Sequence, residues 1–295
     1  MNERVSALWR ATSALLDRPP VRFGRLLVAK IAADDVPGLA AEMAYWLVFA
    51  LFPFLLFLAA LVGFVGARVG AENLFATAMG FNALLTPPEV QHILDDWVAG
   101  VVTSQSPGLL SLGAAGALWG AAGGIGTLVK GFNRAYGAEP GRPFWLAQGL
   151  ALLTALVLAI LMLGGIALYT SGEWLGRLLA ERLELGDVFL GVWTVLRGPG
   201  VAAGLALALL FVYAVLPDTR VRLLEAAPGA VLATVGWVLL TLGFSFYLSN
   251  FGSYDRTFGS LGAAVILMAW MYLVGIALLI GGELNAALAQ RIDDR

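Results

Sequence analysis

The stretch GSLGAAVILMAWMYLVGIALLIGG, residues Gly259–Gly282, runs 24 positions without an Asp, Glu, Lys or Arg, and Glu283 follows at once. An α-helix rises 1.5 Å per residue, so such a run covers the roughly 30 Å of a bilayer's hydrocarbon core. Five more stretches share this character, near Met43–Ala67, Gly108–Val129, Phe144–Tyr169, Gly198–Leu216 and Ala226–Asn250. In lipid the backbone must satisfy its own polar groups, so the six spans read as helices. The whole composition agrees. Of 295 residues 60% are hydrophobic and 13% charged, and mean hydropathy is +0.84. That is about half the charge that covers a soluble domain. The expected fold is an all-α integral membrane protein, six transmembrane helices with amphipathic interfacial helices. Residues 1–38 form an N-terminal segment, 39–290 the six-span domain and 291–295 a tail.

Lysine and arginine set the expected orientation. Arg4, Arg10, Arg18, Arg22, Arg25 and Lys30 precede the first span, and Lys130, Arg134, Arg142, Arg220, Arg222, Arg291 and Arg295 fall on the same side, 13 in all. The five on the other side are Arg68, Arg177, Arg182, Arg197 and Arg256. Both termini are therefore expected in the cytoplasm. Pro19-Pro20 and Pro37-Gly38 break a charged N-terminal segment, so the first span is expected to act as an uncleaved anchor. Gly198-Pro199-Gly200 is read as a break at the start of the fourth span.

Outside the spans, Asn2–Asp17 carries Val5, Leu8, Trp9, Thr12, Leu15 and Leu16 on one helical face, flanked by arginines. This describes a helix lying in the membrane interface or packed on the bundle's inner end. Thr86-Pro87-Pro88-Glu89 has the form of a capped helix start ahead of an apolar stripe from Val90 to Val101, with His92 on the wet side. A second outer helix is expected over Glu173–Leu185, with Glu173, Arg177 and Glu181 spaced by four.

Several motifs resemble the YihY/BrkB family of bacterial inner-membrane proteins. They are Ala40-Ala41-Glu42-Met43-Ala44-Tyr45-Trp46 with Leu51-Phe52-Pro53, Leu216-Pro217-Asp218 through Pro228-Gly229-Ala230, Tyr254 with Gly259-Ser260-Leu261-Gly262-Ala263, Trp270-Met271-Tyr272, and Gly282-Glu283-Leu284-Asn285-Ala286. They recur in order from about residue 20 to 290. Two positions depart from the pattern: Ala50 stands where relatives often have a serine, and Glu42 where a small or apolar residue is expected. The resemblance implies a six-helix fold in the bacterial inner membrane. Members have carried the label ribonuclease BN, and one branch is linked to serum resistance; neither supplies a mechanism.

Candidate functional residues come from the spans' ends and interruptions. Glu42, Lys130 and Glu283, with Asn133 and Asn285 close by, are read as a shared inner vestibule or as separate interfacial anchors. Arg197, Asp187, Tyr254 and Asp255 suggest an outer polar cluster, with Gly259 and Gly262 allowing close approach, or simply a turn. Pro53 interrupts the first span as a kink or hinge. Gly116, Gly120 and Gly124, with Gly113 and Gly123 nearby, form a packing stripe suited to the bundle's interior, a homo-oligomer interface or a ligand-lining backbone. Asp34…Pro37-Gly38…Trp46…Leu51 aligns with Glu225…Pro228-Gly229…Trp237…Leu242 as a faint parallel repeat. So does Ser111–Ala115 with Ser260–Ala264.

The chemistry these residues exclude is as useful. Cysteine is absent, His92 is the sole histidine and net charge is −2, so thiol, histidine-rich metal and nucleic-acid-binding roles are not expected. RNA hydrolysis needs clustered metal ligands or positioned acid–base groups, and the inner face has scattered acids and no histidine. No enzyme activity, cofactor or metal is expected. The reading is a membrane protein that transports or handles a small or lipid-like molecule, with membrane lipids as partners. The alternative is an envelope scaffold.

Overall fold

The computed structural model describes residues 19–69, 107–139, 141–182, 186–251 and 254–293. The expected helices over Asn2–Asp17 and Thr86–Val101, with His92, lie outside these. The described chain is helical: α1 (Pro19–Ala33), α2 (Val36–Val69), α3 (Pro107–Tyr136), α4 (Phe144–Arg182), α5 (Gly186–Val215), α6 (Leu223–Phe251) and α7 (Tyr254–Asp293). Helices α2 to α7 each hold a stretch long and apolar enough to cross a membrane: Val36–Phe57, Pro107–Tyr136, Phe144–Leu161, Gly198–Val215, Leu223–Tyr247 and Ala264–Gln290.

Local chemistry explains the boundaries. Asp35, at φ 55°, interrupts the helix between α1 and α2, and its Oδ1 accepts the Gly38 N–H at 3.2 Å. Pro37 thus sits in the first turn of α2, where a missing N–H costs nothing, and the first span starts at Val36. At the end of α3, Gly137 takes φ 63° while its N–H reaches Arg134 O and Ala138 N–H reaches Asn133 O, a Schellman stop. Helix α6 opens with the Glu225 carboxylate accepting the Arg222 N–H at 3.1 Å, the return half of a capping box.

Two expected breaks are absent. Helix α4 runs unbroken from the third span to Arg182, taking in most of the separate helix expected over Glu173–Leu185. Gly172 does not end it: Trp193 of α5 donates its indole N–H to the Gly172 carbonyl at 2.6 Å, and the same ring fills the notch left at Gly176. Helix α5 runs through Gly198-Pro199-Gly200 from Gly186. A proline removes one helical bond without stopping a span.

The core lies at the end of the bundle where α2 and α6 begin, α3 and α5 end and the second half of α7 passes. Leu39, Met43, Ile125, Leu128, Phe132, Leu209, Tyr213, Ala230, Val274 and Leu278 are buried there. Helix α7 packs on α1, α2, α3 and α6. The outward faces stay apolar, with Phe52, Trp119, Leu161, Leu239 and Val265 exposed. The buried polar residues point inward. This inversion is that of a bundle whose surroundings are lipid.

Candidate functional site

Because the spans alternate in direction, the start of α2, end of α3, start of α4, end of α5, start of α6 and last part of α7 meet at one end of the bundle. Lys30, Lys130, Arg134, Arg142, Arg220 and Arg222 lie there, and it is called the basic end below. Four polar arrangements are built on it.

The first joins α2 and α3. Lys130 Nζ lies 2.6 Å from Glu42 Oε1, with the two side chains 57% and 36% exposed. The Thr127 hydroxyl is 3.2 Å from that oxygen and from the Gly123 carbonyl. Below the pair, Tyr45, Phe49 and Phe52 follow Glu42 at spacings that keep them on its side of α2, and all three are exposed. On α3, Trp119 and Leu112 follow Lys130 in the same way and are also exposed. Glycines close the seam between these flanks. A Cβ at Gly120 would come within 2.6 Å of Ala50, one at Gly116 within 2.8 Å of Pro53, and one at Gly113 within 2.6 Å of the Phe57 main chain. Gly123 faces Trp46, whereas Gly124 has ordinary contact with Leu47. The stripe that meets α2 is therefore Gly113, Gly116, Gly120 and Gly123, and Gly124 stands beside it.

The second joins the α3–α4 connection to the α5–α6 connection. The Asn133 amide donates to Asp218 Oδ2 at 3.1 Å and accepts the Asp218 N–H at 2.8 Å. Gly141 N–H reaches the same Oδ2 at 3.2 Å. Arg142 Nε is 3.1 Å from Asp218 Oδ1, and its other nitrogens donate to the carbonyls of Val215, Leu216 and Pro217 at 2.8–3.1 Å. One guanidinium thus satisfies the carbonyls left open where α5 stops.

The third surrounds Glu283, which is 1% exposed and lies inside α7 rather than at its end. Asp34 and Lys30 are the charged groups that act on it. Glu283 Oε2 has no hydrogen-bond partner. Lys30 Nζ donates to Ala135 O at 2.8 Å, and Arg134 donates to the Asp34 carbonyl at 3.1 Å. The fourth is Asn285, fully buried, whose Oδ1 accepts the Gly229 N–H at 2.7 Å while Nδ2 donates to Ala226 O at 3.0 Å. Close by, the buried Tyr213 hydroxyl donates to Leu278 O at 2.7 Å.

The expected vestibule residues therefore share one end of the bundle but divide among separate partners. Glu42 meets Lys130; Asn133 meets Asp218; Glu283 is acted on by Asp34 and Lys30; Asn285 meets the main chain of α6. Arg197 lies within α5, and Tyr254 and Asp255 open α7, with Gly259 and Gly262 in its first turns; the side chains at these five positions lie outside the described ones. Sequence reasoning passed over Arg142, Asp218, Asp34, Lys30 and Thr127 as site residues. The signal available was scarcity, since every charge near a span in so apolar a chain has to be neutralised by something. Among the described residues no three His, Cys, Asp or Glu gather as metal ligands would.

A family model described as virulence factor BrkB matches residues 27–295, which include all four arrangements. A Bacillus subtilis (strain 168) protein named as ribonuclease-like, YfkH, is 33% identical over 271 residues, 91% of this chain and 96% of that protein. A UPF0761 membrane protein of Alteromonas mediterranea is 26% identical over 278 residues, 92% of this chain and 89% of that protein. Another, of Xanthomonas euvesicatoria pv. vesicatoria, is 27% identical over 303 residues, 97% of this chain and 65% of that protein. No solved structure matches the chain.

Proposed function

This chain belongs to the BrkB/YihY (UPF0761) family of polytopic membrane proteins, and from that premise we propose that it handles or moves a lipid-like molecule in the bacterial inner membrane, with both termini in the cytoplasm. The observation that carries this reading is the seam between α2 and α3. A half-exposed ion pair, Glu42–Lys130, stands at its basic end, and exposed Tyr45, Phe49, Phe52, Leu112 and Trp119 flank it further along the spans. A headgroup bearing both charges exchanges its ammonium for Lys130 and its phosphate for Glu42 without leaving either protein charge unpaired. The acyl chains then lie along the aromatic flanks. The positive-inside count supports the orientation.

The protein acts here as a carrier or lipid-handling protein and not as an enzyme. The ribonuclease-like name of the Bacillus relative calls for chemistry that this chain's scattered acids and lone His92 are poorly equipped to supply. RNA cleavage by purified protein, lost on substitution of its own acidic residues, would overturn that.

The direct test is mass spectrometry of the lipids that accompany the protein in native membrane discs, beside Lys130→Gln and Glu42→Gln. One lipid class enriched over bulk membrane in the parent and lost in both variants is the expected result. Bulk-like lipid in all three samples would remove the reading and turn attention to an envelope scaffold.

A further inference from the structure

We propose that the exposed face of α1 is a docking surface for acidic phospholipid headgroups, held there by Arg22 and Arg25. The surface is separate from the α2–α3 seam and does not depend on which molecule the protein carries.

The sequence of α1, PPVRFGRLLVAKIAA, is too short to cross a bilayer and too basic to lie within one. It carries Arg22, Arg25 and Lys30 and no acidic residue. The structure divides it into two faces. Leu27, Lys30 and Ile31 are half-buried on the side of the bundle. Ile31 packs on the core, and Lys30 Nζ donates to Ala135 O at 2.8 Å. The other face carries Arg22, Arg25, Leu26, Val28, Ala29 and Ala32, all exposed.

That face is basic and apolar at once. Arg22 and Arg25 are three residues apart, so they leave the helix on one side and can share a phosphate. Leu26 follows Arg22 by one turn and Val28 follows Arg25 by one turn, and these two side chains are 51% and 66% exposed. Lys130, Arg142 and Arg222 each have a carboxylate partner at the basic end. Among the described residues Arg22 and Arg25 have none. The acids that follow α1 are committed elsewhere: Asp35 caps the Gly38 N–H, and the Asp34 carbonyl is held by Arg134.

Position selects the occupant. Lys30 on Ala135 O and Arg134 on the Asp34 carbonyl tie the far end of α1 to the last turn of a membrane span, α3. Arg22 is eight residues from Lys30, about 12 Å along the helix axis. Both arginines therefore stay within about a Debye length of that tie, where anionic lipids attract cationic side chains. The acidic surface within reach of a helix fastened this way is the membrane's own. Leu26 and Val28 then enter the interface while the guanidinium groups stay level with the phosphates.

A spin label tests this on the full chain in lipid vesicles. The protein has no cysteine, so Ala29→Cys places one label between the two arginines on the exposed face. Collisions with lipid-soluble oxygen and with a water-soluble nickel chelate report what surrounds it. In vesicles of phosphatidylcholine mixed with phosphatidylglycerol, the label should meet oxygen and be shielded from nickel. In phosphatidylcholine alone, or at high salt, it should turn toward nickel. Arg22→Gln and Arg25→Gln should each lower the docked-to-undocked ratio in acidic vesicles about fivefold, and together about 25-fold. Both arginines are exposed and unpaired, so these variants should fold, and the lipid series on the labelled parent decides without them. A label open to nickel in acidic vesicles overturns the proposal. So does lipid contact that is unchanged in neutral vesicles or in the double variant, which assigns the face to apolar burial alone. Shielding from both probes also overturns it, in favour of a second copy or another segment of this chain on the face.

Discussion

Asn285 ties α7 to the main chain of α6 on either side of Pro228. Pro228 breaks the regular hydrogen-bond ladder of α6, and beside it the Asn285 amide donates to Ala226 O and accepts the Gly229 N–H. Asn285→Ala removes both bonds at a buried contact, and should lower stability by about 1–2 kcal/mol in a detergent unfolding titration. Asn285→Asp keeps the acceptor but loses the donor and buries a charge, so it should not rescue. The sequence marked Asn285 as a polar residue near a span's end. It could not assign the partner, because hydropathy carries no information on which face of a distant helix approaches. The same limit separates the vestibule residues. Glu42 and Lys130, expected together, do meet; Glu283 has Asp34 and Lys30 as the charged groups that act on it instead. Double-mutant cycles express the difference. Glu42→Gln with Lys130→Gln should show coupling of about 0.2–1 kcal/mol, as exposed pairs do. Lys130→Gln with Glu283→Gln should be additive within experimental error.

At the scale of elements, Gly198-Pro199-Gly200 reads in sequence as a break, and the structure runs a helix through it, while other glycines serve as contact surface. Gly172 and Gly176 receive Trp193, and Pro199 passes inside α5. Among the described residues φ is above zero at Gly137 and, outside these residue types, at Asp35. In water a proline or glycine exposes backbone to a competing solvent; between packed helices in lipid it opens a notch and nothing competes. The glycine seam is the clearest case. Its spacing was legible in the sequence, but its phase was not, since Gly123 and Gly124 are adjacent and only the orientation of α3 selects between them. Gly120→Leu, which must displace the Ala50 main chain, should destabilise the protein by about 1–3 kcal/mol or separate the first two spans. Gly124→Ala, whose Cβ would stand 3.7 Å from Leu47, should be tolerated. Thermal unfolding of the two variants side by side checks both.

For the whole molecule, the six spans were legible because hydropathy over some twenty residues outweighs any local feature. The convergence of polar residues at one end was half legible: the charges could be counted, and their partners could not. Arg142 shows why partners matter. It binds three consecutive carbonyls and Asp218, a geometry that a planar fork supplies and an ammonium does not. Arg142→Lys should therefore lose stability nearly as far as Arg142→Ala, measured as a fall in melting temperature. Orientation can be tested cleanly because the chain has no cysteine. Arg220→Cys, at the basic end, should react with an impermeant maleimide only after the inner membrane is opened. Val188→Cys, at the other end of α5, should react from outside.

The seam between α2 and α3 has a consequence in time. Both helices are complete once Tyr136 has been made, before any residue of α4 to α7. At about 5–20 residues per second, synthesis of α4 to α7 takes roughly 10–30 s. Glycine notches, the Glu42–Lys130 pair and the Lys30 tie to Ala135 all lie within this first half of the chain. The nascent protein can thus close its tightest hairpin while still attached to the ribosome, and the later spans assemble on a finished template.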